Sequence, residues 1–259
     1  MSQIRHITIL GSGLAAQYFA ELFHSHTFII DQVISRNAAK GKALADSVKS
    51  VWSDDFTQIC YSDLVLVCVK DDAIEEVVKD LSLDDGIIAH CAGAMPLSVL
   101  SQFERSAVVY PLQTLIKKGS GATVPVLLET SFKQDIGTLR HMVEQCGNPC
   151  FSVDSEKRKH YHLAAVFANN FENAIMQATH TLTQAFDLDF DLLKPLISHT
   201  FQNVLEGNLP EHLQTGPARR GDAKTMNSHK LLLSEQPELK KLYEAMSAYI
   251  ATQYITPKK

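Results

Sequence analysis

Short apolar runs punctuate the first 153 residues, at 6–10, 28–35, 64–69, 86–91, 106–110, 124–129 and 150–153. Helical patterns fill several of the gaps. Residues 14–25 carry Tyr18, Phe19, Leu22 and Phe23 at helical spacing, and 37–48 is rich in Ala and Lys. The run Leu64-Val65-Leu66-Val67-Cys68-Val69 contains no charged side chain. That is the pattern of a central parallel strand covered on both faces. Strand, helix and strand in repetition predict an α/β fold, a Rossmann-type doubly wound sheet with its site at the carboxyl ends of the strands.

From Ser155 onward the period is helical. A helix is expected near 155–186, with Leu163, Val166, Phe167, Phe171, Ile175 and Leu182. A second, near 189–206, stops at Gly207-Asn208. The segment 209–222 is rich in Pro, Gly and Arg, and helices follow near 223–233 and from Pro237 to about 255. The first of these is too apolar for a lone surface helix, so it is expected to pack on other helices, those of a second subunit included. Two domains result: a nucleotide-binding α/β domain over 1–153 and an all-α domain over 154–259 for substrate and dimer contacts.

Composition narrows the partners. The chain has 259 residues, 45% hydrophobic and 20% charged, with a net charge of −5. The negative charge disfavours nucleic acid, and no basic run suits an anionic membrane surface. No apolar run approaches about 18 residues, and the first ten lack the layout of a signal peptide. The five cysteines, Cys60, Cys68, Cys91, Cys146 and Cys150, are scattered without metal-ligand spacing. Cys60 and Cys68 read as reduced core residues and the protein as cytoplasmic.

The strand at 6–10 runs directly into Gly11-Ser12-Gly13-Leu14-Ala15-Ala16, a G-x-G-x-x-A pattern opening a helix. Gly11 suits a tight turn, Gly13 leaves room for a pyrophosphate, and Ala16 lets helix and strand approach. Free N–H groups and the helix dipole favour the anion.

The end of the second strand bears on the choice between NAD and NADP. Asp31 lies 20 residues after Gly11, the offset of a ribose-binding acid, but the apolar run continues through Val33 and Ile34. The strand-end residues are then Ser35, Arg36 and Asn37, with Lys40 a turn later. Arg36 and Lys40 suit a 2′-phosphate, so NADP is expected. Otherwise they form only a solvated helix start.

Further strand ends supply the nicotinamide region. Val69, Lys70 and Asp71 are expected to line the cofactor, and Cys91, Ala92 and Gly93 to form a small-residue turn beneath the ring. His90 either orients substrate or is a satisfied structural histidine. Gln113 and Thr114 follow Tyr110-Pro111-Leu112 and offer uncharged hydrogen bonds. In the helical half His162, Asn169 and Asn173 share one helical face. They either satisfy interhelical hydrogen bonds or face the nicotinamide, with His162 as proton donor and Asn169 beside it. Arg219 and Arg220 in Thr215-Gly216-Pro217-Ala218-Arg219-Arg220-Gly221-Asp222 suit a substrate anion or an intersubunit salt bridge. Asp222 is placed to cap the next helix, where His229 shares its face.

Together, GSGLAA, VKDDAI, HCAGA, YPLQT, HLAAVFANN and TGPARRGD followed by His229 resemble a bacterial family of Rossmann-like NADP oxidoreductases with a C-terminal helical domain of unknown function. The resemblance spans nearly the whole chain. The family is similar to pyrroline-5-carboxylate reductase, prephenate dehydrogenase and the 6-phosphogluconate dehydrogenase superfamily. It implies NADP on the first domain and a homodimer through the second. The hydroxyacid dehydrogenases of that superfamily carry Lys four residues before Asn on the first helix of the second domain. Here Ala165 and Val166 stand four before Asn169 and Asn170, so that lysine chemistry is not implied. The expected activity is hydride transfer between NADP(H) and a small, anionic carbonyl or imine substrate. The alternatives are reduction of another redox carrier and a non-catalytic NADP sensor.

Overall fold

Leu64 and Leu66 pack into one apolar layer, Val65 and Val67 into another, so alternation along a single strand buries both faces of the sheet. The computed structural model describes residues 3–83, 85–115 and 123–254. Eight strands form the sheet: β1 (His6–Leu10), β2 (Ile29–Ile34), β3 (Val51–Ser53), β4 (Leu64–Val67), β5 (Ile87–His90), β6 (Ser106–Pro111), β7 (Val126–Thr130) and β8 (Cys150–Ser152). Their order is β3-β2-β1-β4-β5-β6-β7-β8. All neighbours pair parallel except β6 and β7. The chain order reverses between β1 and β4, the position where open α/β sheets form a crevice at their carboxyl ends.

All seven apolar runs of the sequence are strands. The eighth, β3, offers only Val51 and Trp52 between polar neighbours, too short a signal to read. One face is covered by α1 (Leu14–Ser25), α2 (Ala38–Ser47) and, further along the chain, the helix Asp135–Gln145. The other face is covered by α3 (Ile74–Val78) and a 3₁₀ turn at Leu97–Leu100. With α3 counted, Asp135–Gln145 is α4. On α1 the buried stripe is Ala16, Phe19, Ala20 and Phe23, while Tyr18 and Leu22 pack at its margin. Burying each such phenylalanine contributes about 1.5–3 kcal/mol.

Past the sheet, α5 (Ser155–Ala165) runs into a π-helical segment, Val166–Phe171. The compact units divide at Phe171 and Glu172 rather than at 153. A polar anchor ties α5 to the sheet. Arg158 has no exposed surface, and its guanidinium is paired with Glu129 on β7 and donates to the Met95 carbonyl at 2.6 Å. Glu129 also accepts from the Ser155 amide and hydroxyl. A strand-based boundary cannot register a helix held to the sheet by a buried ion pair.

The second unit begins with α6 (Glu172–Ala185), which continues the helical run, followed by a 3₁₀ turn at Phe190–Leu193 and α7 (Lys194–Leu205). The Pro/Gly/Arg-rich stretch holds two one-turn helices, α8 (Pro210–Leu213) and α9 (Pro217–Arg220). α10 (Ala223–Leu232) and α11 (Pro237–Tyr254) complete it. Only Thr183, Ala218 and Leu233 are buried among this unit's described residues, whereas Leu188, Leu192, Leu196, Leu205 and Leu209 are all exposed. No described helix is long and apolar enough to cross a membrane.

Candidate functional site

Parallel pairing brings the carboxyl ends of β2, β1, β4, β5 and β6 to one edge. Gly11, at the end of β1, has φ +126°, and its amide donates to the Ile34 carbonyl at 2.7 Å. A Cβ there would lie 2.4 Å from the Cys68 carbonyl oxygen, so both the turn and the packing require glycine. A Cβ on Gly13 would meet nothing within 4 Å, and no side chain caps α1. The helix therefore opens onto free space with its first amides uncapped, which suits a phosphate-bearing ligand. Ser12 is buried and Leu14 exposed beside this opening.

The end of β2 lies beside that turn. Asp31 sits inside the strand, 3.0 Å from Nδ1 of His6, and so is not the strand-end acid. Ser35 is buried and accepts from Trp52 Nε1. Asn37 caps α2 by accepting from the Lys40 amide at 3.0 Å. These two side chains are committed to the fold, which leaves Arg36 and Lys40 exposed at the edge. Arg36 Nη2 donates to Glu76 Oε1 at 2.7 Å.

Beyond β4, Val69 is half-buried, and Lys70 and Asp71 are exposed at the start of a 3₁₀ turn. His90 ends β5 with its side chain turned inward. It is fully buried, its Nδ1 accepts from the Ala92 amide at 3.2 Å, and Nε2 faces the Pro96 carbonyl at 3.3 Å. Burial and the Arg158 charge push its pKa down to about 4. A neutral ring with both nitrogens occupied shapes the 91–96 turn and cannot orient a substrate. Cys91 Sγ lies 3.4 Å from the Val67 carbonyl and 3.5 Å from Cys68 Sγ, with the Cys68 thiol pushed well up by burial and by Cys91. Cys60, expected in the core, is exposed.

The centre of chemical interest is the end of β6. Tyr110 Oη and His162 Nδ1 are 3.0 Å apart, with the rings edge to face. A Cβ on Gly93 would lie 2.6 Å from His162 Nδ1 and 2.8 Å from Tyr110 Cζ. Gly93 thus makes room for this pair, rather than for a cofactor ring alone. Burial, with the Asp71 carboxylate in second place, pushes the Tyr110 hydroxyl above its usual range and keeps it protonated. Asn169 donates to the Thr114 hydroxyl, so β6 and the segment after it meet α5 and the π segment at two points. Gln113 is exposed between them. Tyr110 lies in the apolar run at 106–110, and its hydroxyl near the end of a strand at this edge is its one signal in the sequence. Arg158 gave none, since a polar helix start offers many charges.

The second unit holds the remaining candidates. Arg219 donates to the Gln214 carbonyl, and its guanidinium lies 4.9 Å over the Tyr254 ring. It is thereby occupied within its own unit and does not form a free two-arginine clamp. Arg220 is exposed. The flanking glycines have φ +99° at Gly216 and +67° at Gly221, so they shape the one-turn helix α9. Asp222 caps α10 by accepting from the Thr225 amide at 3.0 Å and its hydroxyl at 2.7 Å, which holds its carboxyl below the usual range. His229 Nδ1 lies 3.0 Å from Tyr243 Oη. Asn173 falls in this unit, on α6, and His162 and Asn169 in the first.

Comparison with known proteins agrees with this architecture. A family model for a domain of unknown function (DUF2520) matches residues 124–250. A provisionally assigned NADP oxidoreductase from Bacteroides fragilis is similar over 96% of this chain and 98% of its own, with 30% identity and a TM-score of 0.86. A reductive aminase from Aspergillus terreus, solved with NADPH4, cyclohexanone and allyl amine, has 14% identity and a TM-score of 0.71, with 97% and 95% covered. A pyrroline-5-carboxylate reductase from Coxiella burnetii has 15% identity and a TM-score of 0.58, with 97% and 98% covered. These two share the fold. Among curated proteins no match was found. The chain belongs to the DUF2520 family of Rossmann-fold proteins with a helical C-terminal unit.

Proposed function

We propose that the protein is an NADP(H)-dependent oxidoreductase acting on a small carbonyl or imine substrate. One observation carries this reading: the uncapped start of α1 and the Tyr110–His162 pair lie along the same carboxyl edge of one sheet. The Bacteroides fragilis relative, by its description, and the reductive aminase, by its bound NADPH4, support the cofactor.

In this reading the first amides of α1 meet the pyrophosphate beside Gly13. Arg36 and Lys40 take the 2′-phosphate. When bound, NADPH supplies the hydride. His162 gives the substrate oxygen or nitrogen its proton as the adjoining carbon is reduced. With Nδ1 held at the Tyr110 hydroxyl, Nε2 is the atom offered to the substrate; the imidazolium gives its Nε2 proton and is left as the neutral ring. Thr114 and Asn169 hold each other beside it, and Gln113 adds a neutral hydrogen-bonding group. Their neutrality gives the substrate polar contacts without a counter-charge in this unit.

The assembly we propose is a homodimer through the helical unit, because that unit leaves its leucines exposed within a single chain. Calorimetry and a reductase assay against small ketones and imines test the activity. NADPH should bind more tightly than NADH, Arg36→Ala should remove the difference, and His162→Ala should abolish turnover while NADPH still binds. Equal affinity for both nucleotides overturns the cofactor assignment. Binding with no turnover on any carbonyl, imine or flavin acceptor favours a nucleotide sensor.

A further inference from the structure

Arg36 has a protein partner that the proposed cofactor site does not explain. Its Nη2 donates to Glu76 Oε1 at 2.7 Å, joining the end of β2 to α3 across the sheet edge. Asp71, Asp72 and Glu75 precede Glu76 in the same segment, and none of them pairs with Arg36 in the structure. The side chains of Arg36 and Glu76 are 64% and 68% exposed, so solvent screens the pair and parting it costs little. A phosphate monoester carries close to two charges and offers paired oxygens to the guanidinium fork. A single carboxylate holds the same arginine more weakly.

We propose that Glu76 is a cofactor-discriminating residue: it holds Arg36 when no 2′-phosphate is present and releases it to a 2′-phosphorylated nucleotide. The proposal rests on the reading that Arg36 takes the 2′-phosphate. An unphosphorylated ribose has nothing to draw the guanidinium away, so the ion pair stays closed over NADH. Glu76 therefore acts on one nucleotide and not on the other. Its carboxylate opposes NADPH twice, as a competitor for Arg36 and as a like charge near the phosphate. It sets an upper bound on affinity for the phosphorylated form and leaves the other form untouched.

The test is titration calorimetry with NADPH and NADH on the full chain and on Glu76→Gln, Arg36→Ala, the double variant and Glu75→Gln. All are surface changes. Glu76→Gln should tighten NADPH by about three- to fivefold, the upper part of the range of an exposed ion pair, and leave NADH unchanged. The gain should vanish in the Arg36→Ala background. Glu75→Gln removes the same charge from the same helix without touching Arg36, and should change NADPH by less than about twofold. Three results overturn the role of Glu76 while leaving the cofactor reading in place. These are an equal gain from Glu75→Gln, a gain that survives Arg36→Ala, and no gain in a protein whose NADPH affinity falls on Arg36→Ala. If Arg36→Ala costs no NADPH affinity, the cofactor reading falls and Glu76's role falls with it.

Discussion

Tyr110 and His162 come from elements 52 residues apart and meet at 3.0 Å, hydroxyl against Nδ1. The contact orients the imidazole and assigns its second nitrogen to the outside. Tyr110→Phe keeps the ring volume and removes the hydroxyl. Turnover should fall by about 10- to 100-fold, less than the ~10²–10⁴-fold that loss of the general acid itself would cost, with KM for NADPH unchanged. Equal kcat values for the variant and the parent would remove Tyr110 from the site.

Gly93→Ala tests the same pair from the other side. The new methyl would lie within 3 Å of both His162 and Tyr110, against atoms that are partly buried. Overpacking of this kind costs about 1–3 kcal/mol. A lowered Tm, together with turnover reduced more than in Tyr110→Phe, is the expected outcome. An unperturbed melt would mean that the pair moves apart freely.

His90 gives the protein an acid-sensitive core. Its folded pKa is held down to about 4, against about 6.5 when unfolded, so between those values the unfolded chain binds more protons. Stability must then fall as pH drops through that window, by up to about 3 kcal/mol. Denaturant melts from pH 7 to 4 on the parent and on His90→Gln should show the parent losing stability more steeply. Parallel curves would contradict the assignment.

Arg158 and Glu129 form a buried pair whose members depend on each other. Arg158→Met and Glu129→Gln should each destabilise by about 3–5 kcal/mol, since each leaves one charge without its partner. The double variant should recover part of that loss, because neither charge is then stranded. Additive losses in urea titrations would show that the pair is not coupled.

Leu192, in the 3₁₀ turn at Phe190–Leu193, and Leu196, in the first turn of α7, lie four residues apart and are 78% and 64% exposed. Placing Asp at both positions should convert the proposed dimer to a monomer in light scattering. A monomeric parent would remove the dimer proposal.

The order of strands and helices was legible because parallel strands buried on both faces are written as unbroken apolar runs, such as Leu64–Val67. Gly11 and Gly13 were legible because their spacing belongs to a local turn. The polar part of the candidate site was less so. His90 and Ser35 stand at the strand ends that the pattern selects, yet one faces inward and the other meets Trp52. Sequence position gives the strand end but not the direction of the side chain. Tyr110, Glu76 and Arg158 each act through a partner at least 29 residues away, and no local pattern encodes such a pairing.

The Gly11 turn rests on the Ile34 carbonyl and against the Cys68 carbonyl, contacts that exist only once three strands have aligned. The cradle is therefore a product of long-range assembly, absent from any isolated β1–α1 peptide. A ligand held there binds the folded chain and not the unfolded one, and must raise its stability by mass action, about 2.7 kcal/mol at a hundredfold excess over Kd. A thermal-shift screen of nucleotides thus reports occupancy of this turn without knowledge of the substrate.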